Sequence, residues 1–418
     1  MTRLLISLLL TAALHAQNPY EFYFKSLNDY QKRDYNAFLE NAKKAYNLAP
    51  IQIEFNHNLS RAYALKGQHE QALELLKKIT AMGFDFSPQT DSAYAALWDS
   101  CELKTIVRDW NRLEVPTNVS KKAFSVDEKD LIPEGITYDP LNQLFYLSSI
   151  YKRKIVSVDK KRVAKDFASE AQDDLWSTLG MKVDGFRRTL WVASVIGSPR
   201  MKGYDEKDQG RSAIFKYDVD KGTLIKKYVV SNKPKAHLFN DVTFTPNGDL
   251  FITDSETGSI YVITAAGDSL EVFLAEKFIY PNGIVLNDDG YLYVAHWQGV
   301  SRIDLMTKTV VDLTCPATTT LTGIDGLYWH KNALIAVQNG AGPHARIMRF
   351  FLNATGDGVD RAEILEYGNP IYNIPTTGVI VNNEFYFIAN SQLRSFTEDG
   401  KIFDLDQLKE PVVMKVKL

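Results

Sequence analysis

From about residue 113 onward a two-strand unit recurs, and that recurrence limits the fold more than any other feature of the chain. Short strands rich in aromatic and β-branched side chains alternate with turn clusters such as "PLNQ", "TPNGD", "NDDG" and "EDG". The unit starts near positions 133, 179, 239, 281, 323 and 376, at spacings of 46, 60, 42, 42 and 53 residues. Each interval can hold one four-stranded sheet. Repeats of about 40 to 50 residues built this way predict an all-β six-bladed β-propeller over residues 121–418. A β-sandwich needs no such repeated unit. The final stretch "PVVMKVKL" reads as a strand. Either it or "KKAFSV" near residue 124 is expected to complete the last blade and close the ring.

Residues 19–112 have a different period. Gly and Pro are scarce there, and apolar residues recur three or four apart, which marks helices. Tyr35, Ala42, Ala45 and Pro50 frame one helix, and a shift of 34 places brings His69, Leu76, Ile79 and Phe84 to matching positions on the next. The segment "NLSRAYALKGQHEQALELLKKI" resembles a tetratricopeptide helix pair through Leu59, Ser60, Tyr63, Gly67 at the turn, Ala72 and Leu76. The first unit lacks a turn glycine, and the third, "DSAYAALWDSCELKTIVRDW", is degenerate and reads as a cap. An N-terminal all-α, tetratricopeptide-like domain is therefore expected. Repeats of this kind bury their apolar faces on one another. They serve either as a helical cap or spacer, or as a groove for a protein partner.

The chain has 418 residues and a formal net charge of −3, with no cluster of Lys and Arg suited to nucleic acid. Its start, "MTRLLISLLLTAALHAQN", has one Arg followed by a short apolar run, which reads as a signal peptide over residues 1–16 ending at Ala16. The run is too short to span a bilayer, no other segment is apolar enough to do so, and export to a periplasm or beyond is inferred. Cys101 and Cys315 fall in different predicted domains. They read as two buried free thiols, or as a disulfide that spacing cannot establish.

The propeller units share a second property. "PEGITYDPLNQLFYLSS", "FNDVTFTPNGDLFITDS", "PNGIVLNDDGYLYVAHW" and "GIDGLYWHKNALIAVQN" each place an oxygen-bearing side chain just ahead of a strand: Glu134, Asn240, Asn282 and Asp325. The innermost strand of each blade lines a central channel, so these four side chains are expected to converge at one mouth of it. Two carboxylates and two amide carbonyls suit Ca²⁺, whereas Zn²⁺ wants His or Cys. Asn and Asp before Gly are also ordinary turn residues, but Glu has no such preference. Blade two offers Asp184 before a Gly, at a turn, and blade six offers Thr376 and Thr377. His237, His296 and His344 lie beside strand ends, where they either contact substrate or are satisfied surface or core residues. "SVIGSPRMKGYDEKDQGRSAIF" is a long insertion and a candidate lid or wall.

Over residues 130 to about 395 these motifs resemble the senescence-marker-protein, gluconolactonase and luciferin-regenerating-enzyme family, whose architecture is shared by diisopropyl-fluorophosphatase and the paraoxonases. The matching set is Glu134, Asn240, Asn282 and Asp325, in that order across blades one, three, four and five. The resemblance implies that these residues ligate a divalent cation, usually calcium. It also implies that Asp325 acts as base or nucleophile and that the substrate is a lactone or similar small ester. The helical repeats lie outside the family pattern. Two other readings stand beside this one. One is a non-enzymatic propeller that docks a partner through its helices and holds a structural calcium. The other is a strictosidine-synthase-like propeller, with a Glu in the channel and no such ligand set.

Overall fold

The computed structural model describes residues 18–113 and 115–418; the expected leader lies outside them. These residues divide into two compact units. The first is helical: α1 (Pro19–Gln31), α2 (Tyr35–Leu48), α3 (Ile53–Leu65), α4 (His69–Ala81) and α5 (Cys101–Asn111). Asn18 and Asp34 start α1 and α2 by accepting the amides of Tyr20 (3.0 Å) and Ala37 (3.1 Å). The turn from α3 to α4 needs a left-handed residue, and Gly67 supplies it with φ +70°. In the turn from α1 to α2, 34 positions earlier, Arg33 takes the same conformation at φ 61°. The third unit is a 3-10 turn, Ser92–Leu97, followed by α5. Phe38, Ala42, Leu59, Ala62 and Leu75 form one core, and Ala72, Leu76, Tyr94, Leu97, Leu103 and Ile106 form another. Ser60 joins helices within this unit, donating to the Ala72 carbonyl (2.8 Å) while accepting from the Tyr94 hydroxyl (3.0 Å). Phe84, expected on the helix, lies beyond its end. The segment Lys78–Phe86 groups with the second unit.

That second unit is the propeller. Six four-stranded antiparallel sheets follow one another along the chain. Their first strands are Ile136–Asp139, Ser177–Asp184, Phe239–Phe244, Ile284–Leu286, Ile324–His330 and Gly378–Val381. These six strands touch one another in a closed cycle, so they are the innermost and line the channel. Six apolar layers fill the gaps between neighbouring blades. Tyr146, Met181 and Phe215 belong to the layer between blades one and two, and Phe145, Tyr386 and Phe124 to the layer between six and one. Both faces of a middle strand are thus covered. This is why "TLWVASV" and "ALIAVQ" read as near-continuous apolar runs and are buried throughout. Both candidate closing strands are used. In blade six the order from the outside is Lys121–Ser125, Val412–Lys417, Glu384–Ile388 and Gly378–Val381.

Both cysteines are free, but the expectation that they are buried is wrong. Cys101 opens α5, which buries Leu103 and Ile106 instead. Cys315 sits in the connection after blade four, its thiol 3.5 Å from the Thr319 carbonyl. No described helix is long and apolar enough to cross a membrane.

Candidate functional site

Each inner strand carries the same pair of positions near its start. The pairs are Glu134–Gly135, Leu179–Gly180, Asn240–Asp241, Asn282–Gly283, Asp325–Gly326 and Thr377–Gly378. In blades two, three and five the pair sits where the register with the second strand slips, in a β-bulge. A bulge re-aims the side chain at its position. In blades one, two and four glycine follows because the next blade's backbone is too close for a Cβ. One added to Gly135 would meet the Leu179 carbonyl oxygen. One added to Gly283 would meet the Asp325 oxygen at 2.5 Å and the Leu327 nitrogen at 2.6 Å. The Gly283 amide donates to that same Asp325 oxygen at 2.9 Å.

Asp325 is 8% exposed, and its two carboxylate oxygens are held by different amides. Asn282 Nδ2 donates to Oδ1 at 2.9 Å, and Asn339 Nδ2 donates to Oδ2 at 2.6 Å. Glu134 is 7% exposed, and its Oε2 is fully buried without a hydrogen-bond partner. Its backbone oxygen accepts from the hydroxyls of Thr376 (3.0 Å) and Thr377 (2.5 Å), the residues that blade six contributes. Asn240 Nδ2 donates to Ser255 Oγ at 2.9 Å. Asn240 and Asn282 each spend their NH₂ group on a protein acceptor, which leaves the amide oxygen to accept from something else.

Burial raises the pKa of Glu134 first, and the neighbouring charges of Asp325 and Asp241 raise it further. Burial also raises Asp325, against the opposing hydrogen bonds from Asn339 and Asn282. Like charges in a dry site repel, and each disfavours ionisation of the other. No Lys, Arg or His stands within ion-pair distance of Glu134 or Asp325 among the described residues. A hard cation fits this arrangement: two carboxylates without a counter-ion, one with an orphaned oxygen, and two amide oxygens. Among the described residues no group of three or more His, Cys, Asp and Glu is placed to hold a metal, so only a set that includes the amides fits.

Two residues here had escaped the sequence reading. Asp241 stands where the other five blades have glycine, and that break in the frame was the available signal. Its oxygens accept from the amides of Val242 (2.8 Å) and Ile284 (3.3 Å). Asn339 follows the second strand of blade five and is the last residue of its repeat unit, where the other units carry Ser149, Ser255 and Trp297; a polar residue at that place was the available signal. Blade two contributes Leu179 and Gly180; Asp184 is in the hairpin turn, accepting from Phe186 (3.0 Å) and Arg187 (2.9 Å).

The three histidines do not hydrogen-bond to any of the four site residues. His237 Nδ1 is 2.6 Å from Asp254 Oδ2. His296 is buried; its Nδ1 accepts from the Gln298 amide (3.2 Å) and its Nε2 meets Ser301 Oγ (2.8 Å). His344 is exposed, its ring 5.6 Å from that of Tyr367. The long insertion, expected after blade two, instead lies within it, between its second strand Thr189–Val195 and its third Ser212–Asp218; it leaves the sheet beside Ser177, the start of the inner strand, because Val195 pairs with Ser177. It rests on blade one, where the Lys202 amide donates to the Tyr151 carbonyl (3.0 Å). It also rests on blade six, where Arg200 lies 5.8 Å from the Phe396 ring centroid.

No family model matches the chain, and no curated protein matches it. Solved structures similar to it include a gluconolactonase from Xanthomonas campestris, at TM-score 0.47 and 13% identity over 73% of this chain and 97% of that one. Another is regucalcin, a calcium-binding protein from Agrobacterium tumefaciens, at TM-score 0.48 and 17% identity over 71% and 95%. A third is the aldose sugar dehydrogenase of Streptomyces coelicolor in its PQQ-bound form, at TM-score 0.49 and 13% identity over 72% and 99%. The sheet topology, not these likenesses, defines the fold. Function has to be argued from the site.

Proposed function

We propose that the chain is an exported hydrolase of a lactone or similar small ester. In this reading Glu134, Asn240, Asn282 and Asp325 hold a divalent cation, Ca²⁺ before others. The observation that carries it is the buried, unpartnered Oε2 of Glu134, in the field of a second buried carboxylate and without a basic partner. Leaving such a group unsatisfied is costly, and sites that do so are built for a ligand. When bound, a hard cation polarises the ester carbonyl and offsets the charge that grows as the carbon becomes tetrahedral.

The rest of the chemistry belongs to the chain. Asp325 is base or nucleophile: it either takes a proton from water or attacks the carbonyl carbon itself. Asn282 and Asn339 fix the plane of its carboxylate by gripping one oxygen each. Glu134 is a fixed ligand, anchored through its backbone by Thr376 and Thr377. The insertion within blade two walls the mouth. Residues 1–16 direct export, which N-terminal sequencing of secreted protein would test.

The deciding experiment is hydrolysis of a panel of lactones and aryl esters with calcium present, on the wild type and on Asp325→Asn. The expected result is turnover by the wild type and a loss of about a thousand-fold or more in the variant, with its circular dichroism spectrum unchanged. A chelator should lower the melting temperature and calcium should restore it, since a ligand bound only to the folded state adds stability. Calcium binding without turnover of any ester would instead favour a non-enzymatic propeller. No response to chelator or calcium would remove the site.

A further inference from the structure

The channel holds a cavity of about 500 Å³, lined along the inner strands from Ile136, Gly180, Asp241 and Gly378 onward and by the turns that follow them. It extends along the channel past the positions of Glu134 and its partners. Its wall is largely apolar, with Ile136, Met181, Val285 and Val379 among the lining residues. Volume and lining are those of a small-molecule pocket.

One basic side chain, Lys182, reaches into it. Its ammonium makes no hydrogen bond or ion pair among the described residues. Its recorded neighbour is the Tyr328 ring, whose centroid is 5.8 Å away. The nearby carboxylate of Asp241 does not complete the pair. It lies beyond ion-pair distance, and backbone amides hold both its oxygens. On the adjacent inner strand Thr243 also lines the cavity, and its hydroxyl has no hydrogen-bond partner among the described residues. Lys182 is a donor only, and a half-buried ammonium without an ion-pair partner favours an anionic acceptor. A ligand suited to this pocket must therefore bring an anionic acceptor at one end and an apolar body for the rest. Trp329 stands at the rim, its indole N–H bonded to Asp288 Oδ2 at 2.9 Å.

We propose that this cavity binds a small organic monocarboxylate whose carboxylate pairs with Lys182 and Thr243 and whose apolar body packs against Met181 and Val285. The proposal is independent of the hydrolase reading, because none of the four residues of the upper site lines the cavity.

The test uses the full chain, with phenylacetate as probe and phenylacetamide as its neutral counterpart. Binding is followed by calorimetry and by tryptophan fluorescence. Phenylacetate should bind saturably, and the amide at least about ten-fold more weakly, the difference expected for one charged contact. Lys182→Met should weaken the acid at least about ten-fold, and Thr243→Val several-fold. Asp325→Asn should bind it as the wild type does. If Lys182→Met fails to fold, Thr243→Val and the acid–amide pair decide. Equal binding of acid and amide would overturn the proposal. So would an unchanged affinity in Lys182→Met, or no saturation by the acid at about 10 mM.

Discussion

Asn339 does two things at once: it grips Asp325 Oδ2 and also donates to the Pro375 carbonyl at 2.7 Å, tying the carboxylate to blade six. Asn339→Ala should therefore lower kcat by about ten- to a hundred-fold, the usual effect of losing an outer support, while KM changes little. Steady-state kinetics on one lactone substrate checks this. His296 permits a prediction about pH. Burial pushes its imidazole down to about 4, with Asp312 opposing. Its Nδ1 already accepts a hydrogen bond from the Gln298 amide, so the ring is neutral in the fold. The unfolded chain would protonate it near its ordinary value. The stability it contributes is thus complete above about pH 6.5 and is lost as pH falls from there toward 4. The His296 ring resonance should stay flat down to about pH 5, and a midpoint near 6.5 would contradict the assignment. At this scale, the four oxygen-bearing residues were legible because they recur in register. Asp241 and Asn339 were not. One replaces the glycine of the frame, and the other ends its unit at a place where the residue type varies, as Ser149, Ser255 and Trp297 show.

The inner strands are elements in which backbone, not side chain, sets the tolerance. Gly283→Ala would put a methyl against two backbone atoms of blade five, at 2.5 Å and 2.6 Å, neither of which can swing away. The cost should be on the order of 3 kcal/mol, with loss of the Gly283–Asp325 hydrogen bond. Urea unfolding reads it directly, and esterase activity should fall with it. The segment Lys78–Phe86 holds its place in the propeller unit through Arg346. This buried guanidinium donates to the carbonyls of Met82 (2.8 Å) and Gly83 (3.3 Å) and lies 3.9 Å over the Phe84 ring. Phe84→Ala should therefore destabilise that unit by about 3 kcal/mol, seen as a lower urea midpoint. Element starts were readable because turn residues punctuate them: predicted starts at 239 and 323 match strands at Phe239 and Ile324. Phe84 was assigned to a helix because its spacing fits one. Gly83, with φ +77°, ends that helix first, and the aromatic ring is taken up by Arg346.

For the whole molecule, the decisive contact joins the two ends of the propeller sequence. Lys121–Ser125 pairs with Val412–Lys417, which in turn pairs with Glu384–Ile388. Deleting residues 412–418 should leave the Lys121–Ser125 strand without a partner and bare one edge of Glu384–Ile388. The expected outcome is loss of soluble, cooperatively unfolding protein rather than a modest drop in stability, read by expression yield and circular dichroism. The sixfold count was legible because each blade is one repeat. The choice between the two closing strands was not, because each alone satisfies the pattern, and the ring uses both.

That seam has a consequence for synthesis. The outermost strand of the last blade, Lys121–Ser125, leaves the ribosome before any blade is complete, and its partner Val412–Lys417 is made only after the other five blades. At ordinary elongation rates the wait is on the order of tens of seconds. Throughout that time Lys121–Ser125 is a bare edge. Its two exposed lysines suit it to stay solvated until Val412–Lys417 arrives.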